Sequence, residues 1–137
     1  MPSTDISDIQ QFYARHMQLL DDGAAEQWAR TFTDDAVFAA PSLREPVRGR
    51  EAIAAGARAA AEGRAGAGEV HRHWVGMTTL GPGVRDGIEA VSYVQILAVG
   101  RQGPPRVHLS CVMRDRLVRQ DGELRVAERR ITRDDRP

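Results

Sequence analysis

The chain contains no lysine, no asparagine and a single cysteine, Cys111, in 137 residues. Without lysine there is no side-chain amine for Schiff-base chemistry. A lone thiol supports no internal disulfide, and the N-terminus has no basic-then-apolar start, so a reducing cytoplasm is the expected location. No apolar run approaches membrane-spanning length, and no membrane partner is expected. Charge of one sign is also missing: the 19 basic residues, all arginine, face 19 acidic ones, so no overall field gathers nucleic acid. The arginines come with abundant Ala and Gly, as a GC-rich coding sequence would supply, and are not by themselves read as a binding patch. A hydrophobic fraction of 42% in this length supports one core and hardly two. The expectation is a single domain over 1–137, with flexible ends at 1–6 and 135–137.

What the chain does contain divides into a helical first half and an extended second half. Ser7 and Gln10 stand in capping-box relation, after which Ile9, Phe12, Tyr13, His16, Met17 and Leu20 recur every three or four residues. This predicts an amphipathic helix ending near Asp21, with Gly23 as the left-handed residue that closes it. Ala24 to Phe32 reads as a second short helix, bent against the first. Ala36–Ala40 and Val47–Arg50 read as brief strands around a loop with Pro41 and Pro46. Glu51–Glu62 reads as an alanine-rich third helix whose small residues, Ala57, Ala60 and Ala61 beside Ile53, let a sheet approach closely.

From Glu69 onward the pattern is extended. Four strands are expected, at 69–79, 87–99, 106–119 and 124–133. Gly81-Pro82-Gly83, Gly100 to Pro105 and Asp121-Gly122 separate them as hairpin signals between antiparallel neighbours. Helices followed by a curved antiparallel sheet make an α+β arrangement. In the second of these strands both faces are apolar, Val91, Tyr93 and Leu97 alternating with Val94, Ile96 and Ala98. Helices would cover one side and a second copy of the chain the other.

Four positions, His16, Asp21, His73 and Asp115, are candidates for chemistry. His71 and His73 are two apart, so both rings lie on one strand face, and an imidazole in a concave apolar face is a candidate general acid or base. His16 sits in the middle of the buried stripe of the first helix, and Asp21 at that helix's inner edge; neither is stable in a core without a partner. Asp115 falls in the apolar row Val107, Leu109, Cys111, Met113, Leu117, where a carboxylate is either paired, for instance with Arg130, or available for proton transfer. Each has a purely structural alternative: His73 and Asp21 as a helix-to-sheet ion pair, His16 as a satisfied core histidine, Asp115 as half of a buried salt bridge. His71 is taken to face solvent, a two-histidine metal site lacks an acidic third ligand on that strand, and Cys111 has no activating neighbour.

The order of elements resembles the nuclear-transport-factor-2-like superfamily, a cone-shaped roll in which a strongly curved antiparallel sheet wraps three N-terminal helices (cystatin-like). The series Phe12-Tyr13, Leu20-Asp21-Asp22-Gly23, Trp28, Phe32-Thr33-Asp34-Asp35, Gly49-Arg50, Arg72-His73-Trp74 and Asp115 through Asp121-Gly122 to Arg130 resembles its SnoaL-like polyketide cyclase and dehydratase branch. The base aspartate of the ketosteroid isomerases falls at Ala40 and is missing. Their oxyanion-hole tyrosine corresponds to His16, and their acidic oxyanion-hole residue falls near Asp115. The dehydratase-like pairing of a helix-end aspartate with a strand histidine matches Asp21 and His73, while a further acid of those enzymes is replaced around Ile96.

The resemblance thus implies an acid/base enzyme needing no cofactor and no metal. Its substrate would be a hydrophobic, aromatic polyketide-type molecule such as antibiotic biosynthesis handles. His73, oriented by Asp21, would move a proton beside a carbonyl, and His16 or Asp115 would supply the complementary one. Tyr13, Phe38, Trp74, Met77, Tyr93 and Arg130 would contact the substrate. Cyclisation, dehydration and isomerisation remain open. The alternative is a non-catalytic ligand-binding or assembly subunit of the same fold, like the small subunit of a ring-hydroxylating dioxygenase.

Overall fold

The structure, a computed structural model, describes residues 4–136. The first helix, α1 (Ile6–Asp21), is capped by Asp5, two residues before the expected cap Ser7. The reciprocal capping box is made by Asp5 and Asp8, whose carboxylates each accept from the other's backbone N–H at 3.0 and 3.1 Å. Ile9, Tyr13, His16 and Met17 form its buried stripe, and Gly23 ends the turn beyond it with φ +78°. Helix α2 (Ala25–Ala29) is shorter than its pattern suggested, because Phe32 belongs to the next strand. Arg50 holds this junction, donating from Nε to the Ala29 carbonyl at 3.2 Å and from Nη2 to the Phe32 carbonyl at 2.5 Å.

Strands β1 (Phe32–Ala39) and β2 (Val47–Arg48) lead into α3 (Arg50–Ala67), which runs past Gly63 to Gly68. The remaining strands are β3 (Val70–Pro82), β4 (Ile88–Val99), β5 (Arg106–Gln120) and β6 (Glu123–Arg133). They form one six-stranded sheet in the order β2-β1-β6-β5-β4-β3. Every pairing is antiparallel save β1 with β6, which run parallel. Asp121 and Gly122, both with positive φ, make the tight turn between β5 and β6. The β3–β4 turn falls at Val84-Arg85-Asp86 rather than at Gly81–Gly83. Pro82 remains in β3, which is possible because β3 is an edge strand and one side of it needs no N–H donors.

One cluster of buried apolar side chains links the inner stripe of α1, Trp28 and Phe32, the first turns of α3 and the concave face of the sheet. The small residues of α3 meet the sheet at β1 and β2 and leave a hollow against the rest of it. Ile53, Ala54 and Ala57 are buried, whereas Ala52, Gly56 and Ala60 border an open hollow between α3 and the sheet. Of the expected flexible ends, 1–3 and 137 lie outside the described residues. Thr4 accepts from Arg119 at 3.0 Å, and Asp135 pairs with Arg133 at 2.7 Å. Among the described residues no helix is long and apolar enough to cross a membrane.

Candidate active site

Asp21 is the last residue of α1, and His73 points inward from β3. Because β3 has a neighbour on one side only, its backbone N–H at His73 is left for a side chain. Asp21 accepts that N–H through Oδ2 at 3.1 Å and the ring Nδ1–H through Oδ1 at 2.6 Å. A carboxylate holding both backbone and ring fixes the rotamer and the tautomer: the proton sits on Nδ1 and the lone pair on Nε2. Both side chains are mostly enclosed, at 12% and 7% exposure.

His73 forms part of the wall of a cavity of about 360 Å³ bounded by α1, α2, α3, the 40–43 loop and the concave face of β3 to β6. That volume is at the lower end of the range for small-molecule sites, about 300–1,000 Å³. The walls are chiefly apolar: Met17, Leu20, Trp28, Phe38, Ile53, Val94, Ile96, Leu109, Met113 and Ile131 among them. Ala40 and Ile96, the two positions where related chemistries would carry an acid, are apolar wall here. Cys111 also reaches the wall, but burial pushes its thiol up, away from the nucleophilic thiolate. His71 joins the same wall instead of facing solvent; its Nε2 is 3.0 Å from Glu69, which also accepts from Arg106 at 2.8 Å.

A second hollow of about 320 Å³ lies between α1 and the outer part of β3, bordered by Gln10, Tyr13, Gln18, Asp21, Trp74 and Met77. His73 borders both hollows. The dyad thus stands in the partition between them.

The other expected residues divide. Phe38 is in the cavity wall. Tyr13 is buried at 3% exposure and its hydroxyl donates to Asp115 Oδ2 at 2.6 Å. Burial first, and the Asp115 carboxylate second, push the Tyr13 phenol far up, so it stays protonated. Asp115 is paired, but with Arg129 and not Arg130: Arg129 Nε and Nη2 bind its two oxygens at 2.8 and 2.9 Å. The reason is a bulge. Arg116 pairs with Glu128 but Leu117 with Val126, so Ala127 is an extra residue and the inward parity of β6 changes there from even to odd. Arg130 consequently faces outward with a largely exposed side chain.

His16 does not reach the cavity. It is fully buried, with Nδ1 2.6 Å from the Thr31 hydroxyl and Nε2 without a partner. Burial, then the positive charge of Arg129, holds its pKa well below the ordinary histidine value. Trp74 and Met77 border only the outer hollow, at 66% and 79% exposure, and Tyr93 is on the convex face of the sheet. Met77 leaves the inward row because it occupies a bulge with φ +53°, two residues of β3 standing opposite Ser92. The residues not foreseen are Thr31 as the partner of His16 and the three arginines of the cavity wall, Arg64, Arg129 and Arg133. Among the described residues no three His, Cys, Asp or Glu side chains converge to hold a metal ion.

A helix-end carboxylate braced on a strand imidazole inside a half-open cone is the arrangement expected from the sequence. The family model of the SnoaL-like domain matches residues 2–130. The chain belongs to the SnoaL-like domain family. This SnoaL-like protein is 36% identical to Aln2 from a Streptomyces species, over 98% of its own length and 95% of that chain, with a TM-score of 0.86. It is 31% identical to ActVI-ORFA from Streptomyces coelicolor, covering 94% and 97% of the two chains, with a TM-score of 0.84. A Catenulispora acidiphila protein whose structure contains S-DNPA is 36% identical over 94% of this chain and 92% of that one, with a TM-score of 0.81. No curated protein matches it.

Proposed function

We propose that this SnoaL-like protein is a cofactor-independent acid/base enzyme acting on a hydrophobic, aromatic polyketide-type small molecule. The observation that carries the reading is the 2.6 Å contact from His73 Nδ1 to Asp21 at the wall of the 360 Å³ cavity. With Nδ1–H committed to Asp21, Nε2 is the nitrogen free to take a proton from a carbon next to a ligand carbonyl. Asp21 stabilises the imidazolium that results, and the same ring then returns the proton at another position. Cyclisation, dehydration and isomerisation all share that first abstraction. The ligand-bound state of a 36% identical relative supports a cavity built to hold a guest. His16 is not assigned the complementary proton, since it has no route to the cavity, and both Asp115 oxygens are occupied by Arg129. That proton comes from His73 itself or from water at the mouth.

The test is single-turnover kinetics on aromatic β-polyketone substrates. His73→Ala is expected to lower the chemical step by about a hundredfold or more, the usual scale of general acid–base catalysis, with the fold and ligand affinity retained. Asp21→Asn should cost less. A folded His73→Ala protein that turns over as fast as the parent would leave the dyad as a structural brace only. The exposed convex face, with Trp74 at 66% and Tyr93 at 58% exposure, supports a second element of the reading, a homodimer formed through the sheet.

A further inference from the structure

The cavity wall includes five ionisable nitrogen side chains and no carboxylate: Arg64, Arg129, Arg133, His71 and His73 all border it, while no Asp or Glu does. The chain as a whole carries equal numbers of acidic and basic residues, so this is a local arrangement and not a reflection of composition. Four of the five have their counter-charge behind the wall. His73 is held by Asp21, Arg129 by Asp115, Arg133 by Asp135 at 2.7 Å, and His71 by Glu69. Arg64 has no carboxylate within salt-bridge distance among the described residues. Its guanidinium donates one long hydrogen bond, 3.4 Å from Nη2 to the carbonyl of Leu20, the residue before Asp21. A half-buried guanidinium that has no carboxylate partner and stands at an apolar cavity is available to an anion that enters it.

Resting on the reading of this cavity as the substrate site, we infer that the ligand is an apolar anion, a ring-bearing carboxylate or an equally acidic enol. Its charged group is bound by Arg64. Apolar walls take the rings; the free guanidinium takes the oxygen pair through two parallel N–H donors. No carboxylate borders the cavity to repel an anion, and the neighbouring basic groups are already paired, which leaves Arg64 as the guanidinium open to it. Arg64 lies in the last turn of α3 and has no hydrogen bond to Asp21 or His73, so its assigned role is to determine specificity and not to take part in the proton transfer.

Isothermal titration of the full chain with 2-naphthoate and with 2-naphthamide tests this, because the two share a ring system and shape and differ in charge at neutral pH. Naphthoate is expected to bind about tenfold or more tighter, the scale of a charge-assisted pair. Arg64→Gln should bring the two within about threefold, mainly by weakening naphthoate, and Arg64→Lys should restore most of the preference. Equal affinities in the parent overturn the anion assignment while leaving the cavity a binding site. A preference that survives in Arg64→Gln overturns the role of Arg64. Absence of binding by either probe overturns both the inference and the cavity reading on which it rests. None of these outcomes depends on His73, so failure here is distinct from failure of the proposed proton transfer.

Discussion

His16 is enclosed by the rings of Phe12, Trp28 and Phe32 at centroid distances of 5.3 to 5.5 Å, and its Nε2 faces no acceptor or donor. The Thr31 hydroxyl donates to the Trp28 carbonyl at 2.5 Å, so it receives the Nδ1–H of His16, and the ring is neutral. A second proton would have to be placed on Nε2 in an aromatic cage. In the unfolded chain the same imidazole titrates near its ordinary value, about 6.5. The stability due to this difference is fully present above that value and declines as pH falls below it, because only the unfolded state gains the proton. The slope from this site is at most about 1.4 kcal/mol per pH unit. Urea denaturation at pH 7.5 and 5.5 should therefore show a smaller loss of stability on acidification for His16→Phe than for the parent. An identical loss would show that His16 is not the group responsible. The position of His16 on the buried stripe was legible from helical spacing alone. Its partner was not, since Thr31 lies beyond the second helix and nothing local connects the two. Asp21 and His73 each stood out as polar positions in an apolar pattern, at a helix end and on a strand, but it was the resemblance to the dehydratase-like members that joined them as a pair.

At the scale of elements, Tyr13, Asp115 and Arg129 tie α1, β5 and β6 together through one carboxylate. Arg129 is 1% exposed and its guanidinium carbon also lies 5.2 Å from the centre of the Phe32 ring. Asp115 and Arg129 are direct cross-strand partners, so the pair fixes the register of β5 on β6 beyond the bulge. Replacing Asp115 by Asn strands the arginine's charge in the core and is expected to cost about 3–5 kcal/mol. Asp115→Leu combined with Arg129→Met should recover most of it, as an apolar pair no longer has a charge to desolvate. Chemical denaturation of the two variants checks this; a double variant as unstable as the single one would mean that the pair itself, and not the stranded charge, matters. The strands were readable because hairpin residues separate them and because β3 to β6 pair in chain order. The parallel contact of β1 with β6 was not, because it joins segments about ninety residues apart and leaves no local mark. Bulges were the other blind spot. One extra residue at Ala127 or Met77 reverses which side chains face inward, and hydrophobic alternation alone does not reveal it when, as at Val126 and Ala127, consecutive residues are both apolar.

At the scale of the molecule, the two faces of the sheet are unequal. The concave face holds the helices and the cavity; the convex face of β3 to β5 presents Trp74, Tyr93 and Val107 at 57% to 66% exposure. Gly76 pairs with Tyr93, and Tyr93 with Val112, so Trp74 and Tyr93 rise from adjacent strands on the same side. Aromatic side chains left in water on a continuous sheet surface favour burial against a matching surface, and a second copy of the chain supplies one by symmetry. The convex face is also where β3 carries Trp74, next to His73. A partner that covers Trp74 would stiffen the strand whose backbone N–H and ring are both bound to Asp21. Sedimentation of the parent at micromolar concentration is expected to give a dimer, and Tyr93→Arg, which sets a charge at the centre of the patch, to give a monomer with its helix and strand content intact. The monomeric variant should retain affinity for a cavity ligand while losing part of its turnover, because the cavity is enclosed within one chain whereas the proposed interface would cover the strand that carries His73. A parent that sediments as a monomer would remove the dimer, and with it any role for Trp74 beyond the outer hollow.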